Sequence, residues 1–273
     1  MIPIDFIDKL YARQKKAKSL LCVGLDIDEK KIPASLVASS DTPLIDFNRT
    51  VIEQTKEVAC AYKLNLAFYE VFGKQGYDLI EETLSCIPKD IITILDGKRN
   101  DIGNTARKYA QACYETLDAD AVTVNPYLGW DGIQPFLEYT DKCSFILCRT
   151  SNKSAADIQN VSYQGKPLYL HVAKKIREWN EQGQCGVVVG ATYPEELQSI
   201  RKVLTDDIPF LLPGIGKQGG DVGKTVRYGS NSQGLGAIIN SSRGIIYAGS
   251  DENYAEDIHA AARQLHSLIN TYR

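Results

Sequence analysis

Residues 91–101 read IITILDGKRND, an apolar run that ends abruptly in charges. The run is rich in β-branched side chains and has the composition of a buried strand. Two carboxylates and two cations follow within six residues, namely Asp96, Lys98, Arg99 and Asp101. The stretch therefore predicts a core strand whose carboxyl end carries polar groups that can do chemistry.

The same pattern recurs along the chain. Seven other short apolar runs cover residues 20–26, 58–65, 121–126, 144–151, 186–192, 209–216 and 237–243. Longer amphipathic stretches that predict helices cover residues 44–55, 101–117, 168–182, 193–204 and 254–272. The runs are almost continuously apolar, which is typical of the strands of a parallel sheet that is covered on its outer face.

Eight strand and helix alternations in 273 residues predict an α/β fold, a (β/α)8 TIM barrel forming a single domain over residues 1–273. A doubly wound open sheet is the alternative. It is less favoured because residues 24–31 read GLDIDEKK after the first strand, where a dinucleotide-binding sheet would carry G-x-G-x-x-G.

Composition excludes several classes of protein. The formal net charge is -3, so neither nucleic acid nor a membrane surface is expected as a partner. No apolar run is long enough for a membrane span, and the N-terminus does not resemble a signal peptide. Residues 13–18 (RQKKAK) are interpreted as the solvated face of an N-terminal helix.

The cysteines indicate the compartment. Their number is odd, seven, and none has C-x-x-C spacing, while most lie within apolar segments. This pattern favours reduced, buried thiols in a cytoplasmic protein over disulfides or a zinc site.

Polar residues end every apolar run. They are Asp26, Lys63, Asn65, Asp96, Lys98, Asn125, residues 149–152, Thr192, residues 214–220 and residues 241–243. In a parallel barrel the carboxyl ends of all strands open on one face, where barrel enzymes keep their active sites. These groups are therefore expected to converge.

The charged residues of the segment 96–101 allow two interpretations. Side chains alternate along a strand, so Asp96 and Lys98 should point the same way while Arg99 points elsewhere. A lysine held charged beside carboxylates suits a general acid or a stabiliser of a carbanion. Equally, the group could be a surface salt-bridge cluster in which Asp101 is the N-cap of the next helix.

A second stretch, residues 211–225 (LLPGIGKQGGDVGKT), contains five glycines after an apolar run. Backbone N–H groups can approach a ligand closely there, and barrels often bind phosphate after strands seven and eight. The eighth run continues as SSRG, and the guanidinium of Arg243 suits a phosphate dianion. The alternative is a flexible loop beside a solvated arginine.

Together, DGKRNDIGNT (residues 96–105), PGIGKQGGD (213–221) and SSRGIIY (241–247) resemble one family. The chain is similar nearly end to end to the orotidine 5′-phosphate decarboxylases, in their longer bacterial-type subfamily. The resemblance implies conversion of orotidine 5′-phosphate to UMP and CO2 in de novo pyrimidine biosynthesis, with neither cofactor nor metal. The chain departs from the family at Asn100, where glycine is expected.

The resemblance also assigns roles to the charged residues. Asp96, Lys98 and Asp101 correspond to the catalytic array of the family, in which the lysine stabilises and protonates a carbanion at C6 of the pyrimidine. The family is a homodimer, so Asp101 is expected to reach into the partner's site. Thr105 would lie beside Asp101 at that interface and contact the ribose.

Further residues correspond to the substrate contacts of the family. Asp26 and Lys63 resemble its ribose-contacting acid and lysine. Ser151 resembles the residue that hydrogen-bonds the pyrimidine, and Gln218 and Arg243 resemble the pair that binds the phosphate.

Two other functions remain as alternatives. A Mg²⁺-dependent sugar-phosphate decarboxylase or aldolase of the same superfamily would share D-x-K-x-x-D, but would need another acid near the end of the second strand. Residues 62–70 read YKLNLAFYE there, with Glu70 as the only acid. A non-catalytic barrel that binds a nucleotide phosphate is the second alternative, although mere binding has no use for Asp96 beside an anionic substrate.

Overall fold

The computed structural model describes residues 5–215 and 220–273. Eight parallel strands form the barrel, namely β1 (Leu21–Gly24), β2 (Ala61–Asn65), β3 (Ile92–Arg99), β4 (Ala121–Val124), β5 (Cys143–Arg149), β6 (Cys185–Val189), β7 (Phe210–Pro213) and β8 (Ala237–Ser241). They close in the order β1-β8-β7-β6-β5-β4-β3-β2. Each of the eight apolar runs overlaps one of them, with β5 and β6 each beginning one residue before the run. The predicted barrel is therefore confirmed and the open sheet is excluded.

Helices connect the strands around the barrel. The α-helices are Phe6–Lys16, Ala34–Ser39, Pro43–Thr55, Ala67–Glu70, Lys74–Cys86, Gly103–Gln111, Trp130–Leu137, Ala156–Gln159, Leu168–Trp179, Pro194–Val203, Val222–Gly229, Arg243–Ile246 and Tyr254–Thr271. Shorter elements are the 3₁₀ turns Glu29–Lys31, Pro126–Leu128 and Lys153–Ala155, the π-helical turn Ala112–Thr116 and a hairpin of Ser162–Tyr163 with Lys166–Pro167. All five predicted helices are present, with ends that differ by a few residues.

The core has two parts, because each strand is buried on both faces. The larger part lies between the barrel and the surrounding helices. The smaller part fills the barrel and includes Cys22, Ile94 and Phe145, together with Phe6 and Leu10 of the first helix. The first helix therefore covers the amino end of the barrel, so the opposite end is the open one.

The interpretation of residues 13–18 as a solvated face is wrong at Arg13 and Gln14. Gln14 is 0% exposed and donates to the carbonyl of Ala237 at 2.7 Å. Arg13 is 7% exposed, donates from Nε to the carbonyl of Ala59 at 2.9 Å and pairs with Asp90 at 3.0 Å. The cause is the position of the helix against the barrel, which leaves Arg13 to satisfy a carbonyl that precedes β2. Lys16, one turn further, is 70% exposed as expected.

All seven cysteines have free thiols, and six of them are buried. Burial raises the pKa of Cys60 to about 12, so this thiol stays protonated. Within the described residues, no helix is long and apolar enough to cross a membrane. The same ranges contain no cluster of three or more His, Cys, Asp or Glu side chains that could hold a metal ion.

Candidate active site

Four charged side chains meet at the carboxyl ends of the first three strands. We call Asp26, Lys63, Asp96 and Lys98 the charged cluster. The ammonium of Lys63 lies 3.0 Å from Asp96 Oδ2 and 3.6 Å from Asp26 Oδ1, and Lys98 Nζ lies 2.7 Å from Asp96 Oδ1. The expectation that Asp96 and Lys98 share a side is confirmed, and the sequence-predicted Asp26 and Lys63 join them.

The cluster is buried at its centre and open at one end. Lys63 is 4% exposed and Asp96 is 12% exposed, whereas Lys98 is 48% exposed. Burial opposes ionisation of Asp96, but the ammonium groups of Lys63 and Lys98 outweigh it and hold the pKa of Asp96 well below its usual range. Burial likewise opposes the charge on Lys63, yet Asp96 and Asp26 raise its pKa above the ordinary value. The centre is therefore a fixed ion pair, and Lys98 is its solvent-facing cation.

The loop after β1 presents a carboxylate oxygen with free hydrogen-bonding capacity. Asp26 Oδ1 is buried and accepts no hydrogen bond in the described part of the chain. Two tyrosines fix the backbone around it. Tyr69 donates to the carbonyl of Leu25 at 2.8 Å, and Tyr247 donates to the carbonyl of Asp26 at 3.1 Å. A buried acceptor on a rigid loop suits a ligand hydroxyl.

A cavity of about 190 Å³ lies beside the cluster at the barrel mouth. It is lined by Asp26, Lys63, Asn65, Asp96, Pro213, Gly214, Ile215, Asn240, Ser241, Ser242, Arg243 and Gly244. Asp26, Lys63 and Asp96 lie at the ends of the first three strands, and the other wall comes from the ends of β7 and β8. Lys98 and Ser151 are not among the residues that line this cavity. A ligand in this cavity would contact the charged cluster on one side and the start of the glycine-rich loop on the other.

Arg243 lies on the second wall, at the first residue of the helix Arg243–Ile246. Its side chain is exposed, so its guanidinium is free to meet a dianion at the rim. Ser242 fits against β1 only because residue 24 is glycine, since a Cβ there would lie 1.9 Å from Ser242 Oγ. Gln218, the other predicted phosphate contact, lies outside the described residues.

Ser151 lies in the loop after β5 and is half-buried. The loop approaches β6 closely, because a Cβ on Gly190 would fall 2.9 Å from backbone atoms of Ser151. Arg149, two residues before Ser151, is 2% exposed. It donates to the carbonyl of Thr150 at 2.7 Å and lies over the ring of Tyr193 at 4.0 Å. Arg149 therefore supports the loop that carries Ser151.

Asp101 and Thr105 are not part of the charged cluster in this chain. Asp101 is half-buried, and its Oδ1 accepts the N–H of Ile102 at 2.8 Å. The next helix begins at Gly103 with Ile102 in the N-cap position, so the N-cap interpretation of Asp101 is wrong. Thr105 is exposed and lines a separate cavity of about 240 Å³. Neither side chain lines the barrel-mouth cavity.

Glu70, the acid that a Mg²⁺-dependent relative would need, points away from the mouth. It pairs with Arg99 at 2.6 Å, and both line the cavity that contains Thr105. Arg99 thus lies on the opposite side of β3 from Lys98, as strand alternation predicts. Glu70 is therefore committed to a different ion pair.

Two polar residues of the mouth, Asn240 and Thr123, were absent from the set predicted from the sequence. Asn240 lines the cavity beside the predicted Asn65, and Thr123 Oγ1 donates to Asp96 Oδ1 at 2.8 Å. The feature of the sequence that could have indicated these residues was a polar side chain within an apolar strand. Threonine is a common strand residue, so Thr123 gave a weak signal.

The family model described as Orotidine 5′-phosphate decarboxylase / HUMPS family matches residues 19–258. A curated protein of Dehalococcoides mccartyi named orotidine 5′-phosphate decarboxylase is 48% identical over 274 residues, covering 99% of each chain.

Solved structures show the same likeness. The structure of Leishmania donovani OMP decarboxylase matches with a TM-score of 0.86 and 38% identity, and the match covers 98% of each chain. The structure of Leishmania donovani UMP synthase matches with a TM-score of 0.88 and 40% identity. That match covers 98% of the present chain and 56% of the synthase, so the synthase contains a further region.

Proposed function

The chain belongs to the orotidine 5′-phosphate decarboxylase / HUMPS family, and we propose that it converts orotidine 5′-phosphate to UMP and CO2 through a C6 carbanion that Lys98 stabilises and protonates. Full-length likeness to curated orotidine 5′-phosphate decarboxylases supports this decarboxylation, in pyrimidine biosynthesis. The observation that carries the mechanism is the 2.7 Å pair of Lys98 and Asp96 at the barrel mouth.

The proposed reaction needs a cation and a proton at one place. When the bond between C6 and the carboxylate carbon breaks, CO2 leaves and the electron pair stays on C6. An ammonium close to C6 lowers the energy of that negative charge without a cofactor, because it is preorganised in a partly dry site. Lys98 then transfers a proton to C6, and its exposed side chain recovers a proton from water.

Asp96 and Lys63 keep this cation in place. The Asp96 carboxylate is ionised and paired on its other oxygen with Lys63, so it is fixed between two ammonium groups. A fixed Asp96 holds Lys98 Nζ at one position. The reaction then proceeds faster, because the ammonium does not have to lose its conformational freedom in the transition state.

The remaining contacts of the proposal bind the substrate. Asp26 and Lys63 bind the ribose, for which the buried Oδ1 of Asp26 is the free acceptor. Ser151 binds the pyrimidine ring, and Arg243 binds the phosphate together with Gln218. The remote phosphate supplies binding energy that holds the ring against the charged cluster.

We also propose a homodimer in which Asp101 and Thr105 enter the partner's site. Exposed apolar side chains lie in the segments next to these residues, including Ile102 at 55%, Tyr127 at 78% and Trp130 at 44% exposure. Apolar surface of this kind is typical of a protein interface, and a second copy would cover it. The proposed compartment is the cytoplasm, where seven free thiols stay reduced, and the proposed organisation is a single domain.

The rival is the Mg²⁺-dependent sugar-phosphate chemistry of the same superfamily. The test is to supply orotidine 5′-phosphate with EDTA, and 3-keto-gulonate 6-phosphate with Mg²⁺, and to follow nucleotide absorbance and CO2 release. Rapid release of UMP and CO2 in EDTA supports the proposal. Turnover of the sugar phosphate alone, dependent on Mg²⁺, would replace it with the rival.

A further inference from the structure

One buried hydroxyl contacts both ends of the Asp96–Lys98 pair. Thr123, on β4, is 1% exposed. Its Oγ1 accepts the backbone N–H of Lys98 at 2.9 Å and donates to Asp96 Oδ1 at 2.8 Å. The same Oδ1 lies 2.7 Å from Lys98 Nζ. Backbone, carboxylate and ammonium are therefore tied together through a single side chain.

The backbone of β3 at residues 96–98 departs from regular strand pairing, so the Lys98 N–H needs an acceptor from a side chain. Leu95 pairs with Val122 and Arg99 pairs with Val124, so residues 96–98 of β3 face Thr123 alone. Within this irregularity Lys98 has a φ of +46°, a left-handed conformation that non-glycine residues adopt at a cost. The Lys98 N–H has left the regular ladder, and the Thr123 hydroxyl replaces the missing acceptor.

We propose that Thr123 is a positioning residue for decarboxylation, because its hydroxyl fixes the strained Lys98 backbone and the Asp96 carboxylate so that the ammonium stays aimed at the reacting carbon. This inference rests on the proposed function. Without the hydroxyl, the Lys98 N–H loses its acceptor and Asp96 loses one donor, so the lysine can relax to an ordinary conformation. Displacement of a reacting group by about 1 Å is enough to slow an enzyme by roughly 100-fold.

The chain offers a matched control at the other end of the same strand pair. Thr93 Oγ1 accepts the N–H of Asp120 at 3.0 Å and donates to Asp120 Oδ2 at 3.0 Å. Thr93 is 9% exposed, and its hydroxyl makes the same two kinds of hydrogen bond away from the barrel mouth. Replacing Thr93 by valine therefore removes a similar hydroxyl without touching the charged cluster.

The experiment compares Thr123→Val with Thr93→Val, measuring kcat and KM for orotidine 5′-phosphate, the Kd of UMP and Tm. For Thr123→Val we expect kcat to fall by about 10- to 100-fold, while KM and the Kd of UMP stay within about threefold. For Thr93→Val we expect a lower Tm and an unchanged kcat. Equal kcat values in the two variants would overturn the proposal.

A second pair keeps the test decisive if valine at 123 prevents folding. Thr123→Ser and Thr123→Ala differ only in the hydroxyl, so we expect serine to restore most of kcat and alanine to resemble valine. Serine that is as slow as alanine would overturn the positioning role. A wild-type enzyme that does not turn over orotidine 5′-phosphate would instead overturn the proposed function itself.

Discussion

Lys63 and Asp96 form a buried ion pair at 3.0 Å, with the lysine almost wholly withdrawn from solvent. The pair joins β2 to β3 at the barrel mouth and leaves the second oxygen of Asp96 for Lys98. It therefore links the stability of the barrel to the arrangement of the proposed catalytic lysine.

Asp96→Asn should destabilise the fold at neutral pH. Removing one partner of a buried pair leaves Lys63 undercompensated, which costs about 3 kcal/mol in the free energy of unfolding. The folded-state pKa of Asp96 lies below its unfolded value, so its contribution is complete above about pH 4 and is lost as the pH falls toward the folded-state pKa. Urea unfolding at pH 7 and pH 3 should show that the difference in the free energy of unfolding between wild type and variant is smaller at pH 3. A difference in this free energy that does not change with pH would contradict the stabilising role of the ionised Asp96.

Arg243→Ala should lower kcat/KM for orotidine 5′-phosphate by about 100-fold, because charge-assisted hydrogen bonds to the phosphate are lost. The fold should persist, since the side chain is exposed. Inhibition by UMP should weaken while inhibition by uridine, which lacks the phosphate, stays the same. Arg227→Ala, an exposed arginine on the helix Val222–Gly229, serves as the control and should behave as wild type. Normal turnover by Arg243→Ala would refute the phosphate contact.

Arg149→Lys should raise KM by about tenfold, because lysine keeps the charge but loses the planar fork and its stacking on Tyr193. The loop that carries Ser151 then loses its fixed carbonyl contact. Arg201→Lys is the matched control, since Arg201 lies over Phe210 at 3.6 Å and donates to the carbonyl of Gly229 at 2.7 Å, away from the mouth. It should lower Tm and leave KM unchanged. An unchanged KM in Arg149→Lys would show that the loop carrying Ser151 keeps its conformation without the contacts of Arg149.

Mixed dimers test whether Asp101 acts across an interface. Lys98→Ala and Asp101→Ala should each be nearly inactive alone. When the two are unfolded and refolded together, half of the dimers contain one intact site, so about a quarter of wild-type activity should return. Lys98→Ala mixed with Asp96→Asn is the control, because both changes affect the same barrel and no site is restored. Absence of recovery in the first mixture would place Asp101 in its own subunit's site.

The sequence was sufficient to predict the barrel and the residues of the charged cluster. Apolar runs that end in Asp26, Lys63 and Asp96 are a direct consequence of buried parallel strands that open on one face, so their convergence followed from topology. Arg13 was misjudged because its burial depends on where the first helix packs, which no local pattern encodes.

Other features depended on contacts between distant segments. The left-handed backbone of Lys98 arises from the register of β3 against β4, and a single strand gives no sign of it. The contacts of Tyr247 join residue 247 to the backbone of Asp26, across almost the whole chain. The role proposed for Asp101 requires a second copy of the chain, so it remains a prediction.

The most direct measurement is the kcat of Lys98→Ala for orotidine 5′-phosphate, followed by ultraviolet absorbance in EDTA beside wild type and Lys175→Ala. Lys175 pairs with Glu178 at 2.7 Å on the surface, so its variant controls for the loss of an ion-paired lysine. We expect wild-type activity in the control and a fall of at least about 1000-fold in Lys98→Ala, with UMP still bound, because electrostatic stabilisation and proton donation are lost together. Activity of Lys98→Ala within tenfold of wild type would contradict the central role of this lysine.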